Sequence, residues 1–168
     1  PQFGFGKILE GYEIEQWLGA GAMGEVYLAR QVSMNRAVAL KVVRYDLSVD
    51  STVIERFNKE AQILASLNHT SIVPAFDAGH TDECYYMAMG FIDGETLEDK
   101  MKRKGVLGEV EVLKICRRIT EALEYAWNEF KLLHRDIKPA NIMIDSMKEI
   151  KVMDMGIAKN TMEDGGLT

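Results

Sequence analysis

An α+β body in two parts is the fold class that this sequence predicts, with a strand-rich first half holding one main helix and a mostly helical second half ending in a small hairpin. Three observations carry it. Apolar residues follow strand periods on either side of a single helix as far as Met89, and they recur at helical spacing from Thr96 to Phe130. The change of character falls at the turn Asp93-Gly94. The first half is expected to hold a five-stranded antiparallel sheet.

Each element has its own signal. From Tyr12 to Leu18 apolar residues alternate (Tyr12, Ile14, Leu18), and Glu25 to Arg30 repeats the pattern after a glycine cluster, which predicts a hairpin. Ala37 to Val43 is too continuously apolar for a sheet wet on both faces, so this third strand is expected against a core. Ser51 to Leu67 reads as a helix, with Thr52 and Glu55 as a capping box and Val53, Phe57, Ala61, Leu64 and Leu67 on one face. Ile72–Phe76 and Cys84–Met89 read as strands around the turn-rich residues 77–82. Helices are expected over Thr96–Lys104 and Glu109–Phe130, the second burying Leu113, Cys116, Leu123, Trp127 and Phe130 and exposing Arg117, Glu121 and Glu124. Ile142–Ile144 and Ile150–Met153 form the closing hairpin.

Composition bounds the function. The 168 residues suit one large domain or two small lobes, and a chain of this size buries roughly 70% of its unfolded surface. A net charge of -6 opposes nucleic-acid binding, which favours a basic surface. Lys100 to Lys104 reads as a solvated helix end. Cys84 and Cys116 lack the paired spacing of a zinc site, so reduced core thiols in a cytoplasmic setting are expected. Nothing approaches the ~20 consecutive apolar residues of a membrane span. The start at Pro1 and the polar stretch Glu163-Asp164-Gly165-Gly166 near the end read as a fragment.

Four constellations carry chemistry. Gly19-Ala20-Gly21-Ala22-Met23-Gly24 has the GxGxxG spacing, which serves either phosphate cradling or an ordinary turn. A dinucleotide fingerprint would open a helix, whereas Val26-Tyr27-Leu28 continues as a strand, and this excludes a dinucleotide oxidoreductase. Lys41 interrupts the apolar strand after Val38-Ala39-Leu40; a buried ammonium needs an anion, and Glu60 on the following helix is the candidate. His134-Arg135-Asp136-Ile137-Lys138-Pro139-Ala140-Asn141 gathers a base, two cations and an amide in one loop. There Asp136 can accept a hydroxyl proton, Lys138 can neutralise a phosphoryl group and Asn141 can offer an oxygen to a hard cation; the bland alternative is a packed core histidine followed by a polar turn. Asp154 places a carboxylate in the apolar run Lys151-Val152-Met153, and with Asn141 it makes a two-oxygen site of the kind that magnesium completes with phosphates and waters.

In this order and spacing GAGAMGEV, VALK, Glu60, HRDIKPAN and DMG resemble the protein kinase signature set, from about Tyr12 to Ala158. HRDIKPANIM with VMDMGIAK is similar to the bacterial eukaryotic-like Ser/Thr kinases, because Lys138 follows Asp136 by two positions. The resemblance implies an N-terminal extension at 1–11, a kinase N-lobe at 12–92 and a partial C-lobe at 93–168. It also implies ATP- and Mg2+-dependent transfer to Ser or Thr of protein substrates; the alternative is a pseudokinase-like nucleotide-binding or scaffolding module. By the same likeness Gly19, Ala20, Gly21, Gly24 and Val26 cover the phosphates, Lys41 contacts them and Glu60 holds Lys41. Asp136 and Lys138 act at the transfer, and Asn141 and Asp154 hold magnesium. Val26, Ala39 and Met143 sandwich the adenine, and Met89 is the gatekeeper before a hinge through Phe91 and Ile92.

Further expectations rest on the resemblance. Arg135 would pair with a phosphate on Thr161 or Thr168. A second copy of the chain is an expected partner in dimerisation or autophosphorylation, and any membrane anchor lies outside this segment. Met155 stands where the family carries phenylalanine and would fill its slot between His134 and Leu64. Gly90 stands where relatives carry an acidic hinge residue. Everything after Thr168 that builds the peptide platform is missing from the segment, so the isolated chain is expected to be weak or inactive.

Overall fold

The computed structural model describes residues 3–21, 24–44 and 51–154. The chain divides into two compact units, Pro1–Ala65 with Pro74–Phe91 and Ser66–Val73 with Ile92–Thr168. In the first unit lie strands β1 (Ile8–Leu9), β2 (Tyr12–Gly21), β3 (Gly24–Gln31), β4 (Arg36–Arg44), β5 (Ala75–His80) and β6 (Cys84–Gly90), and helix α1 (Ser51–Ser66). Among the described residues they form a six-stranded antiparallel sheet in the order β1-β2-β3-β4-β6-β5.

Two departures from the expected strands have local causes. The sixth strand, β1, arises because Glu10 (φ 47°) and Gly11 (φ 85°) form a two-residue turn with both centres in the left-handed region, which sets Leu9 opposite Tyr12. The fifth strand is not Ile72–Phe76 but β5, so the turn-rich residues Asp77 to His80 pair with β6 instead. Its outer position tolerates polar side chains, and Gly79 lets the Tyr86 ring lie close: a Cβ there would come within 2.6 Å of the Tyr86 hydroxyl. Ile72 and Val73 are buried in the second unit. Thr52, expected to cap α1, lies outside the residues whose side chains are described.

Residues directly opposite in neighbouring strands share a face of the sheet, and this gives the two faces different work. Tyr27, Leu40 and Ala88 form one fully buried row, joined by Ala29, Val38, Val42, Cys84 and Tyr86. Phe3, Leu9, Tyr12 and Ile14 belong to the same core. The opposite face carries the rows Val26–Lys41–Met87 and Leu28–Ala39–Met89. There α1 contributes buried Phe57, Glu60, Ala61 and Leu64.

The second unit holds β7 (Gly94–Thr96), α2 (Leu97–Lys104), α3 (Glu109–Phe130), a 3-10 turn at Pro139–Asn141, β8 (Ile142–Asp145) and β9 (Ile150–Val152). The expected hairpin of β8 and β9 gains β7 as a third strand, with Thr96 opposite Met143. Thr96 therefore ends a strand and caps α2, its hydroxyl accepting the Asp99 N–H at 3.0 Å. Residues 66–73 are tied in by the Asn68 N–H on the Tyr125 hydroxyl (3.0 Å) and by a parallel bridge from Ile72 to Val152.

Three other expectations for this unit are corrected. On α3 the buried residues are Ile115, Ala122 and Ala126, while Leu113, Cys116 and Trp127 are exposed. The apolar stripe is wider than the surface that the described residues offer it, so only one side of the stripe is covered. Cys116 is thus not a core thiol, unlike Cys84, whose burial raises its thiol pKa. Lys100 is not solvated either: it is buried and pairs with Glu111 at 2.5 Å, and Lys104 shares that carboxylate at 2.9 Å. Among the described residues no helix is long and apolar enough to cross a membrane.

Candidate active site

In the first unit the glycine-rich segment is the tip of the β2–β3 hairpin. Gly19 stands opposite Val26, Ala20 opposite Glu25 and Gly21 opposite Gly24; Ala22 and Met23 lie outside the described residues. Gly24 has φ +123°, and a Cβ there would lie 2.1 Å from the Val42 carbonyl oxygen, so only glycine fits. This close approach seats the hairpin arm against β4.

Lys41 lies opposite Val26 in β4 and donates from Nζ to both carboxylate oxygens of Glu60, at 2.8 and 2.9 Å. The pair is well shielded, at 8% and 2% exposure. A two-oxygen grip in a dry setting holds the ammonium at a defined place above the sheet. Ala39 and Met89 are opposite each other on the same face and are partly exposed, as is Phe91 at the end of this unit.

In the second unit, residues 131–141 form the polar loop that the sequence singled out. Leu132 and His134 are buried and alternate with exposed Leu133 and Arg135, so the chain enters the loop extended and half-anchored. The His134 ring accepts the Asp136 N–H at Nδ1 (3.3 Å), which leaves the proton on Nε2 to donate to the Met153 carbonyl (2.8 Å). The Asn141 carbonyl accepts the Met153 N–H at 2.9 Å. Met153 is therefore held from both sides, immediately before Asp154.

Asp136 is gripped twice. Lys138 Nζ lies 2.8 Å from its Oδ2, and Asn141 Nδ2 donates to the same oxygen (3.0 Å) and to the Asp136 carbonyl (2.9 Å). The hydrogen bond from Lys138 holds the Asp136 carboxyl below the usual carboxylate range, with Asn141 adding to the effect, and the same contact raises the Lys138 ammonium. With both amide hydrogens of Asn141 used on Asp136, its Oδ1 is the atom left for a cation. Asn141 is 6% exposed.

Three non-glycine residues here adopt left-handed backbone, Lys131 (φ 53°) where α3 ends, Arg135 (φ 60°) and Asp154 (φ 54°). Such conformations are uncommon and persist where surroundings impose them. Among the described residues no cluster of three His, Cys, Asp or Glu could hold a metal by itself. Met143 lies in β8 opposite Lys151, partly exposed, and Ile92 begins this part of the second unit. Met155, Gly156, Thr161 and Thr168 lie outside the described residues.

The sequence reading missed the scaffold behind Asp154. Val152 donates to the Ser71 carbonyl at 2.7 Å and accepts from Val73 N–H at 3.2 Å, so residues 71–73 fix the strand that ends at the carboxylate. The signal was the short apolar pair Ile72-Val73 closed by Pro74, which reads equally well as the start of a strand.

Comparison with protein families matches the protein kinase domain over residues 12–168. The serine/threonine-protein kinase PrkC of Bacillus subtilis is 42% identical over 154 residues, 91% of this chain and 24% of that protein. PknB of Mycobacterium leprae is 39% identical over 161 residues, covering 94% of this chain and 26% of that protein. A probable serine/threonine-protein kinase of Clostridium perfringens is 38% identical over 156 residues, with 92% and 23% covered. The chain spans about a quarter of the length of these relatives.

Proposed function

The chain belongs to the protein kinase family, and from that premise we propose that it is the nucleotide-handling part of a Ser/Thr protein kinase that moves the γ-phosphoryl group of ATP to protein hydroxyls. The observation that carries this reading is the Asp136 carboxylate held by Lys138 and Asn141 in one loop. Phosphoryl transfer rests on positioning and electrostatics more than on covalent help from the protein, and this loop concentrates both.

Asp136 is ionised at neutral pH and, with its lowered pKa, is a weak base. Its work is to accept a hydrogen bond from the Ser or Thr hydroxyl and orient it, taking the proton late, as the new P–O bond forms and the bond to the ADP oxygen breaks. Lys138 lies close enough to share the charge of the moving group. Lys41, positioned by Glu60, serves the α- and β-phosphates; Gly19, Ala20, Gly21 and Gly24 present backbone to phosphate oxygens. Val26, Ala39 and Met143 contact the adenine, Met89 bounds its pocket, and the backbone at Phe91 and Ile92 reads its edge. Asn141 Oδ1 and the Asp154 carboxylate would hold Mg2+, which when bound neutralises phosphate charge.

Incubating the full-length protein with γ-labelled ATP, with and without Mg2+, tests the reading. Label on Ser or Thr that requires the divalent ion is expected. Nucleotide binding with no transfer would identify a binding or scaffolding module instead. Arg135, which is exposed, is the proposed partner of a phosphate on Thr161 or Thr168. Mass spectrometry of the active protein that finds both unmodified would remove that part.

A further inference from the structure

Residues 3–11, which precede the kinase match, pack against the sheet. The family match starts at residue 12, yet Phe3 is 4% exposed and belongs to the same core as Tyr27, Leu40 and Ala88. Its ring meets Tyr27 with centroids 5.9 Å apart. Lys7 sits 4.2 Å over that ring and pairs with Glu83 at 2.6 Å, while Gly6 N–H and the Lys7 carbonyl bond to Ile14 at 2.8 and 2.9 Å. The segment is thereby strapped along the outer face of the sheet.

One contact in this strap leads to the glycine-rich hairpin. The Phe3 N–H donates to the Tyr27 hydroxyl (3.1 Å), and that hydroxyl donates to Glu25 Oε2 (2.5 Å). A phenol can do both at once, accepting at oxygen and donating its proton, so the two bonds fix its direction. Glu25 follows Gly24 directly and stands opposite Ala20 and Val42, so it belongs to the hairpin arm itself. Tyr27 is fully buried and cannot drift with solvent. The chain Phe3 N–H to Tyr27 hydroxyl to Glu25 carboxylate runs from the outer core to the arm that carries the phosphate-facing glycines.

We propose that this relay positions the glycine-rich hairpin for nucleotide, making Tyr27 and Glu25 positioning residues and the N-terminal strap a functional part of the first unit. The proposal rests on the kinase reading for its kinetic consequence, but the positioning itself has a readout without nucleotide. Phenylalanine at 27 keeps the ring on Phe3 and removes only the hydroxyl, so the core survives while the relay is cut.

The test is Tyr27→Phe in the full-length protein, beside deletion of residues 1–7 and beside Glu25→Gln, which keeps an acceptor for the hydroxyl. For Tyr27→Phe, amide exchange at residues 19–26 of the free protein is expected to accelerate while β4 and β6 keep their protection. The KM for ATP is expected to rise roughly threefold to tenfold with little change in kcat, the size that the loss of one hydrogen bond of ordinary net strength allows. The deletion should reproduce the effect, and Glu25→Gln should fall between wild type and Tyr27→Phe. Unchanged exchange at 19–26 in Tyr27→Phe, or a uniform loss of protection across the sheet, overturns the relay whatever the kinetics. Faster exchange confined to the hairpin in a protein that transfers no phosphate upholds it and sinks the kinase reading alone.

Discussion

Replacing Glu60 by glutamine removes one charge from the driest ion pair described in the first unit and keeps the length of the side chain. Lys41 Nζ now touches both Glu60 oxygens, at 2.8 and 2.9 Å, with 8% and 2% of the two residues exposed. Two unit charges about 4 Å apart at an effective dielectric near ~20 attract by about 4 kcal/mol. The glutamine carbonyl still accepts one hydrogen bond, worth about 1 kcal/mol, and the lysine recovers part of the remainder by turning toward water or phosphate. A net loss of about 1.5–3 kcal/mol in the positioning of Lys41 is left, which is roughly a 10- to 150-fold fall in kcat/KM for ATP. Steady-state phosphoryl transfer by the full-length variant measures it, with a melting curve alongside to show that the fold persists. Activity within about twofold of wild type would refute the claim that Glu60 sets the lysine for catalysis.

Two further outcomes follow from the charged contacts. Lys138→Ala removes the main influence holding Asp136 below the carboxylate range, so its pKa rises; the acid limb of the kcat/KM profile should move to higher pH, and a limb that stays in place would separate Lys138 from the titration. Glu111, its carboxyl lowered from 4.5 to about 2 by hydrogen bonds from Lys100 and Lys104, contributes stability that is present above the ordinary value and lost as pH falls toward the lowered one. Glu111→Gln should therefore melt earlier at neutral pH, with the gap to wild type closing as pH falls from about 4.5 toward about 2; a constant gap would contradict the pairing.

Chemistry was more legible in the sequence than placement was. The Lys41–Glu60 contact could be read because a lysine inside an apolar strand demands an anion, and one helix face offered it. The loop from His134 to Asn141 could be read because its residue types are too chemically dense for an ordinary turn. What escaped depended on partners distant in the chain. Residues 77–80 look like a turn until β6 is there to pair with them, and Gly94–Thr96 looks like a turn leading into a helix until β8 lies alongside. The stripe on α3 has the right period, but which side of it is covered depends on the surface beneath, so Ile115 is buried and Leu113 is not. The clamp on Met153, made by a histidine ring and a backbone carbonyl, has no sequence signal beyond the histidine itself. The same holds for Phe3, whose role rests on its burial against Tyr27.

The most direct test compares full-length wild type with Asp136→Asn, measuring nucleotide affinity and phosphoryl transfer to Ser or Thr in parallel. Asparagine keeps the shape of the loop and removes the group that orients the hydroxyl and takes its proton. Affinity for ATP is expected to stay within about twofold while transfer falls by about 10²- to 10⁴-fold. Equal transfer by both proteins, or none by either with ATP bound, would contradict the assignment of Asp136 as the residue on which the reaction turns.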